Sequence, residues 1–138
     1  MKDVFCKIID GEIPSAKVYE DDDVLAILDI SQVTKGHTLV MPKKHYDNYL
    51  SCPKEIMHKV FDVAQRIGQA EMRVLGAKGI NIITNVGEPA GQTVPHFHVH
   101  VIPRYLGGEG GFQITMKSQN TPKEALPLLA DDIGKALK

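Results

Sequence analysis

The apolar positions of the chain follow two periods, and the change from one to the other marks the elements. "AKVYED" (16–21) and "VLAILD" (24–29) are short apolar runs on either side of the acidic turn Asp21–Asp22–Asp23, which predicts a hairpin. "HTLVMP" (37–42) reads as a third strand, stopped by Pro42. From Pro53 to Leu75 the period lengthens. Ile56, Val60, Val63, Ala64, Ile67 and Val74 recur at spacings of three, four and seven, the stripe of one long helix, with Ser51 and Pro53 at its start and Gly76 at its stop. "INIITN" (80–85) and "HFHVHVI" (96–102) predict a fourth and a fifth strand, separated by the glycine- and proline-containing loop "VGEPAGQTVP". Ahead of them "VFCKIIDGEIP" predicts a short helical turn closed by Gly11 and Pro14. Near the end, Thr121-Pro122-Lys123-Glu124 has the form of a capping box, and Pro127 should kink the helix that follows or delay its start. The pattern predicts a single α+β domain over residues 1–138, with a mainly antiparallel sheet of about five strands, one long helix and short terminal helices.

The fifth strand carries the candidate chemistry. His96, His98 and His100 alternate with Phe97, Val99 and Val101, so a strand there turns three imidazoles to one face and packs the other into a core. Two chemistries suit such a face. His-x-His offers paired imidazoles to zinc, and neighbours on one face stand roughly 6.5–7 Å apart. The outer pair, His96 and His100, is about twice that distance apart, too far for one small ion. No Asp, Glu or Cys lies within "TVPHFHVHVIPRY" to complete a zinc site. Direct catalysis is the alternative: a neutral imidazole, with an ordinary pKa of about 6.5, is a competent nucleophile near neutral pH. If the electrophile is a phosphate, donors must meet the charge that develops on its oxygens. The preceding loop offers backbone N–H groups near Gly91, the Gln92 amide and the Thr93 hydroxyl, and Asn85 adds a further amide.

Composition narrows the partners. The 138 residues are 43% hydrophobic and 24% charged, as in globular domains, with a net charge of −1. No basic block exists to hold a polymeric nucleic acid, whereas a single small anion fits a local pocket. No stretch approaches a membrane span or an export signal, and Cys6 and Cys52 read as free thiols of a cytoplasmic protein.

"GQTVPHFHVHVIPR" resembles the signature of the histidine-triad (HIT) family. "FCKIIDGEIPSAKVYEDDDVLAILDISQVTKGHTLVMPKKH" is similar to the N-terminal half of its Hint-like bacterial branch. The likeness spans residues 4–106 and is weaker over the C-terminal tail. It implies a HIT-like fold, no cofactor, and a nucleotide-binding hydrolase or transferase acting at the α-phosphate of purine nucleotide conjugates. By position in the motif, His98 is implied as the nucleophile that forms a nucleotidyl-histidine intermediate, and His100 as the phosphate contact. His96 and His37 are implied as a supporting hydrogen-bond network, and Asn85, Gln92 and Thr93 as holders of phosphate oxygens. Thr93 stands where the branch usually has serine. Asp29 falls at the position that binds the ribose hydroxyls, a task suited to an acceptor-only carboxylate, and Phe5, Ile8, Leu28 and Ile30 are implied around the base.

The resemblance further implies a homodimer with sheets joined edge to edge. Some bacterial relatives hold a structural zinc with a Cys-x-x-Cys pair and two histidines at positions matching His45 and His96. Here Asp3-x-x-Cys6 lacks one thiolate, and no metal is assigned from the sequence. His58, off the apolar stripe, reads as a surface residue. Two other functions fit the same motif: a dinucleoside polyphosphate hydrolase, and a nucleotide-binding regulatory protein with residual catalysis.

Overall fold

The computed structural model describes residues 2–106 and 118–137. Five antiparallel strands form one open sheet in the order β1-β2-β3-β5-β4: β1 Lys17–Glu20, β2 Val24–Leu28, β3 Thr38–Pro42, β4 Gly79–Ile83 and β5 Val99–Arg104. The β1–β2 hairpin is closed as its acidic turn predicts. The Asp21 carboxylate accepts the N–H groups of Asp23 and Val24, both at 2.8 Å, an Asx turn that reverses the chain.

The two faces of the sheet are covered differently. Helix α2 (Lys54–Val74) packs Val60, Val63, Ala64 and Ile67 against Val24, Ala26, Val40, Phe97, Val99 and Val101. On the other face the short helix α1 (Val4–Ile9) lays Phe5 against Leu25, Ile27, Leu39 and Met41, with Ile8 and Ile9 packed beside them. The apolar half of the "HFHVHVI" alternation therefore meets α2, and the histidines share the face that α1 covers.

Several expectations are corrected. Val74, read as the end of the α2 stripe, is 78% exposed, and the buried residue of that last turn is Glu71. Ser51 does not start α2: it pairs with Asn48 in a capping box on the 3₁₀ turn Tyr49–Ser51, and α2 begins after Pro53 without a side-chain cap. The Thr121 capping box does not form, because Pro122 leads into a 3₁₀ turn, Lys123–Ala125, with no side-chain cap. Helix α3 (Leu126–Ala136) starts late, with Pro127 in its first turn where no N–H is needed. The fifth strand also starts late. Pro95 has no N–H, and Phe97 gives its own to the Tyr46 carbonyl (2.7 Å), so regular pairing with β3 begins at Val99. No helix among the described residues is long and apolar enough to cross a membrane, and Cys6 and Cys52 are free thiols.

Candidate active site

The three histidines divide between two clusters. His98 and His100 stand together, ring centroids 5.0 Å apart, while His96 turns to the N-terminal helix. The hydrogen bonds assign each ring its tautomer. The His98 Nδ1 lies 2.7 Å from the His96 carbonyl, which can only accept, so Nδ1 carries the proton and Nε2 keeps its lone pair. The His37 Nδ1 accepts the Val33 N–H (3.2 Å), so His37 donates from Nε2 to the His100 Nδ1 (3.0 Å). His100 then presents Nε2–H as a donor. One ring with a lone pair thus sits beside another with a proton to share.

Burial holds all three of these rings in the neutral form. It lowers the pKa of His98 and of His37, against the pull of the Asp29 carboxylate. For His100, burial and then the adjacent His98 and His37 rings bring the value down to about 4. Neutral rings are what a nucleophile and a directed donor require.

The loop between β2 and β3 brings His37 and Asp29 to the same place. Its carboxylate oxygen stands 3.6 Å from the His37 Nε2, and the Asp29 N–H bonds the His37 carbonyl (3.0 Å). Gln32 fastens the loop: its amide donates to the Asp29 and His37 carbonyls (2.5 and 2.8 Å), and its oxygen accepts the Gly36 N–H (2.8 Å). Thr84 holds the backbone of His98, donating to its carbonyl at 2.8 Å. Neither Gln32 nor Thr84 is marked by any local pattern in the sequence.

Of the four apolar residues expected around a base, one lies on the other side of the sheet. Phe5 is buried and meets His98 edge-on, centroids 4.9 Å apart, with Ile8 packed nearby. Leu28 instead lines the α2 side of the sheet, beside Thr38, Ile67 and Glu71. Its neighbour Ile27 lies on the triad face: it pairs with Leu39, which pairs with His100, in one row. The alternation would have found it, since residues two apart share a face and Ile27 precedes Asp29 by two. Ile30 is 98% exposed.

The loop ahead of the triad commits most of its donors internally. The Gln92 amide is fully used within the loop: Oε1 accepts the Gly87 N–H, and Nε2 donates to the Asp47 and Val94 carbonyls. Its backbone N–H and that of Gly91 are taken by the Gly87 and Glu88 carbonyls. Both residues shape the loop and have no donor to spare for a phosphate. Thr93 is exposed, and its N–H, its hydroxyl and the Val94 N–H have no partner among the described residues. Asn85 lies just beyond β4, its amide close against Gly91.

His96 is fully buried and belongs to a second constellation. Its Nε2 donates to the Pro42 carbonyl (2.9 Å), which leaves a lone pair on Nδ1, 3.3 Å from an Asp3 oxygen and 3.7 Å from the Cys6 sulfur. His45 is arranged alike. Nε2 meets the Asp47 carboxylate (2.9 Å), and Nδ1 stands 3.0 Å from the Asp3 oxygen and 3.7 Å from the Cys6 sulfur. All four donor atoms lie within 4.8 Å of one another. Lone pairs of two imidazoles, a carboxylate and a sulfur converge on one point. Their separations are close to the edges of a tetrahedron with bonds of about 2.0–2.3 Å, the zinc range. Asp47 and Pro42 supply the outer contacts that orient ligating histidines. The donor set fits a divalent transition-metal ion, with Asp3 in the place of a first cysteine. His58 is exposed and stands apart from both clusters.

The HIT domain family model matches residues 10–107. The chain belongs to the HIT family. This HIT protein is 53% identical over 107 residues to Protein hit of Bacillus subtilis, covering 78% of this chain and 74% of that one. It is 41% identical over 101 residues to a protein of Arabidopsis thaliana named adenylylsulfatase HINT3, covering 73% of this chain and 51% of that one. Among solved structures, a HIT family protein from Bacillus anthracis superposes with a TM-score of 0.88 at 47% identity, over 98% of this chain and 96% of that one. A Zn-bound histidine triad family protein from Mycobacterium smegmatis does so with a TM-score of 0.74 at 38% identity, over 96% and 94%.

Proposed function

We propose that this HIT protein is a nucleotidyl hydrolase or transferase that acts at the α-phosphate of purine nucleotide conjugates, including nucleoside phosphoramidates. The observation that carries this reading is the tautomer pair. The His98 Nδ1–H is committed to the His96 carbonyl, which leaves the Nε2 lone pair beside a His100 that the His37 relay has made a donor.

In this reading Nε2 of His98 attacks phosphorus in line; the N–P bond forms as the bond from phosphorus to the leaving group breaks, the leaving atom keeping the electron pair and, where it is an amine, taking a proton from solvent. The nucleotidyl-imidazolium carries a positive charge that the His96 carbonyl stabilises. Water then attacks phosphorus and loses a proton to solvent, the P–N bond breaks, and the neutral ring returns with its electron pair. The His100 Nε2–H, the Asn85 amide, the Thr93 hydroxyl and the N–H groups of Thr93 and Val94 meet the phosphoryl oxygens as charge builds on them. Asp29 accepts the ribose hydroxyls, and Phe5, Ile8, Ile27 and the exposed Ile30 flank the base. Gly91 and Gln92 shape the loop, and His96 and His37 are positioning residues.

The adenylylsulfatase relative supports nucleotidyl transfer from a conjugate with an anionic leaving group. Asp3, Cys6, His45 and His96 are proposed to hold zinc, a reading supported by the existence of a Zn-bound relative, and with four protein donors such an ion would serve as a structural clip. The edge strand β4 is the proposed seam of a homodimer.

Rapid quenching of the protein with an adenosine phosphoramidate, followed by peptide mass spectrometry, tests the reading. A nucleotidyl adduct on His98, absent in His98→Ala, is expected. Turnover near wild type in that variant would remove His98 as nucleophile. Rates on adenylyl sulfate and a diadenosine polyphosphate, measured alongside, rank the leaving groups.

A further inference from the structure

The metal clip and the nucleotide site share parts. His96 contributes its Nδ1 to the four-donor set and its carbonyl to the His98 Nδ1–H. Asp3 and Cys6 are the N-cap and third residue of α1, and between them lies Phe5, whose ring meets His98 at 4.9 Å and His96 at 5.9 Å. A six-residue helix has little stability of its own, so its seat depends on what anchors it. Its apolar anchors are Phe5, Ile8 and Ile9. Its polar anchor is the donor set, which ties it to His45 and His96, 39 and 90 residues from Cys6 along the chain.

We infer that metal and nucleotide bind cooperatively: a divalent transition ion held by Asp3, Cys6, His45 and His96 seats Phe5 and the His96 carbonyl, and so raises nucleotide affinity. This rests on the nucleotide reading given above. A base against Phe5 favours the seated helix, and the seated helix is the one with Asp3 and Cys6 in ligand positions. Linkage then requires that nucleotide raise metal affinity by the same factor. Asp3 makes this coupling useful. A carboxylate suits an ion of the zinc class less well than the thiolate it replaces, so this clip exchanges its ion more readily than a two-thiolate site.

The test uses the full chain stripped of metal by chelation. Co²⁺ affinity is read from its sulfur-to-cobalt absorption with and without AMP, and AMP affinity by calorimetry with and without Zn²⁺. The expected result is tightening in both directions by one common factor, of about 5- to 150-fold. Asp3→Asn keeps the helix cap but loses the anionic ligand, and Cys6→Ser loses the sulfur band. Both should bind AMP as the metal-free protein does, whether or not Zn²⁺ is present. Asp3→Cys should tighten Co²⁺ binding. AMP affinity that is equal with and without metal would overturn the coupling and leave the nucleotide reading standing. Absence of AMP binding in both forms would overturn the two together, while the cobalt band would still report the clip.

Discussion

His37 donates its Nε2 proton to the Nδ1 of His100 across 3.0 Å, joining residues 63 positions apart. That bond decides which nitrogen of His100 faces outward with a proton. His37→Ala leaves a buried acceptor unpaired and frees the ring to turn. A loss of about 1–3 kcal/mol is expected, roughly a 5- to 150-fold fall in kcat with little change in KM, because the contact matters most as charge builds on the phosphoryl oxygens. Steady-state kinetics on an adenosine phosphoramidate check this; a rise in KM alone would assign His37 to ground-state binding.

Asp29→Ala should weaken ribonucleotide binding by about ten- to a hundredfold or more, the worth of hydrogen bonds to a charged group. A 2′,3′-dideoxy analogue has neither hydroxyl and should be nearly unaffected. The Asp29 carboxylate also accepts the Ser31 N–H at 2.8 Å, so Asp29→Asn serves as the variant that retains the turn. Equal losses on both substrates would give Asp29 a different role.

His100 makes the fold sensitive to acid. Its value of about 4 in the fold, set by burial and then by His98 and His37, lies below the ordinary value of about 6.5 it regains on unfolding. Between the two the unfolded chain binds a proton that the folded chain refuses. Stability is therefore complete above about pH 6.5 and falls as the pH drops toward 4. Urea titrations at pH 7.5, 6 and 5 should show the decline, and His100→Asn should flatten it.

Glu71 acts in the opposite direction. Burial raises its carboxyl to about 7, against the weak contact with Thr38, and one of its oxygens has no hydrogen-bond partner. The Thr38 hydroxyl donates to the Gly36 carbonyl at 2.7 Å and reaches Glu71 only at 3.4 Å, so it does little to hold a charged carboxylate there. The Glu71 contribution is present below the ordinary carboxylate value and is lost as the pH rises toward 7, by up to about 3 kcal/mol. Glu71→Gln should be more stable than the wild type at pH 8 and gain little at pH 4.5, as read from urea midpoints.

Gly36 has no room for a side chain. Its φ is +102°, and a Cβ would stand 2.6 Å from a Leu75 methyl and 2.8 Å from the Glu71 carboxylate. Gly36→Ala should cost about 1–3 kcal/mol by overpacking and strain, measured by denaturation. Because Gln32 ties Gly36 to Asp29 and His37, the same variant should also lower kcat.

The strands, the long helix and the alternation of histidines with Phe97, Val99 and Val101 were legible in the sequence because they are set by residues two, three or four apart. Period alone divides that strand into a core face and a polar face, and the family likeness follows the same local motifs. What local spacing does not contain is the identity of partners across the chain. His96, His98 and His100 look equivalent in sequence, yet a carbonyl two residues back fixes one, a histidine 63 residues away fixes another, and Asp3, Cys6 and His45 claim the third. Ile27, not Leu28, shares the face of β2 that α1 covers, and period two counted back from Asp29 already placed it there; the pairing with β3 sets it in one row with His100. Gln92 has the donors of a phosphate ligand, but the fold places the Asp47 and Val94 carbonyls within their reach, and a donor spent on the loop is no longer free for substrate. Tautomer, ligand set and spare hydrogen bonds depend on groups that meet only when the chain closes on itself, and the tertiary structure alone decides them.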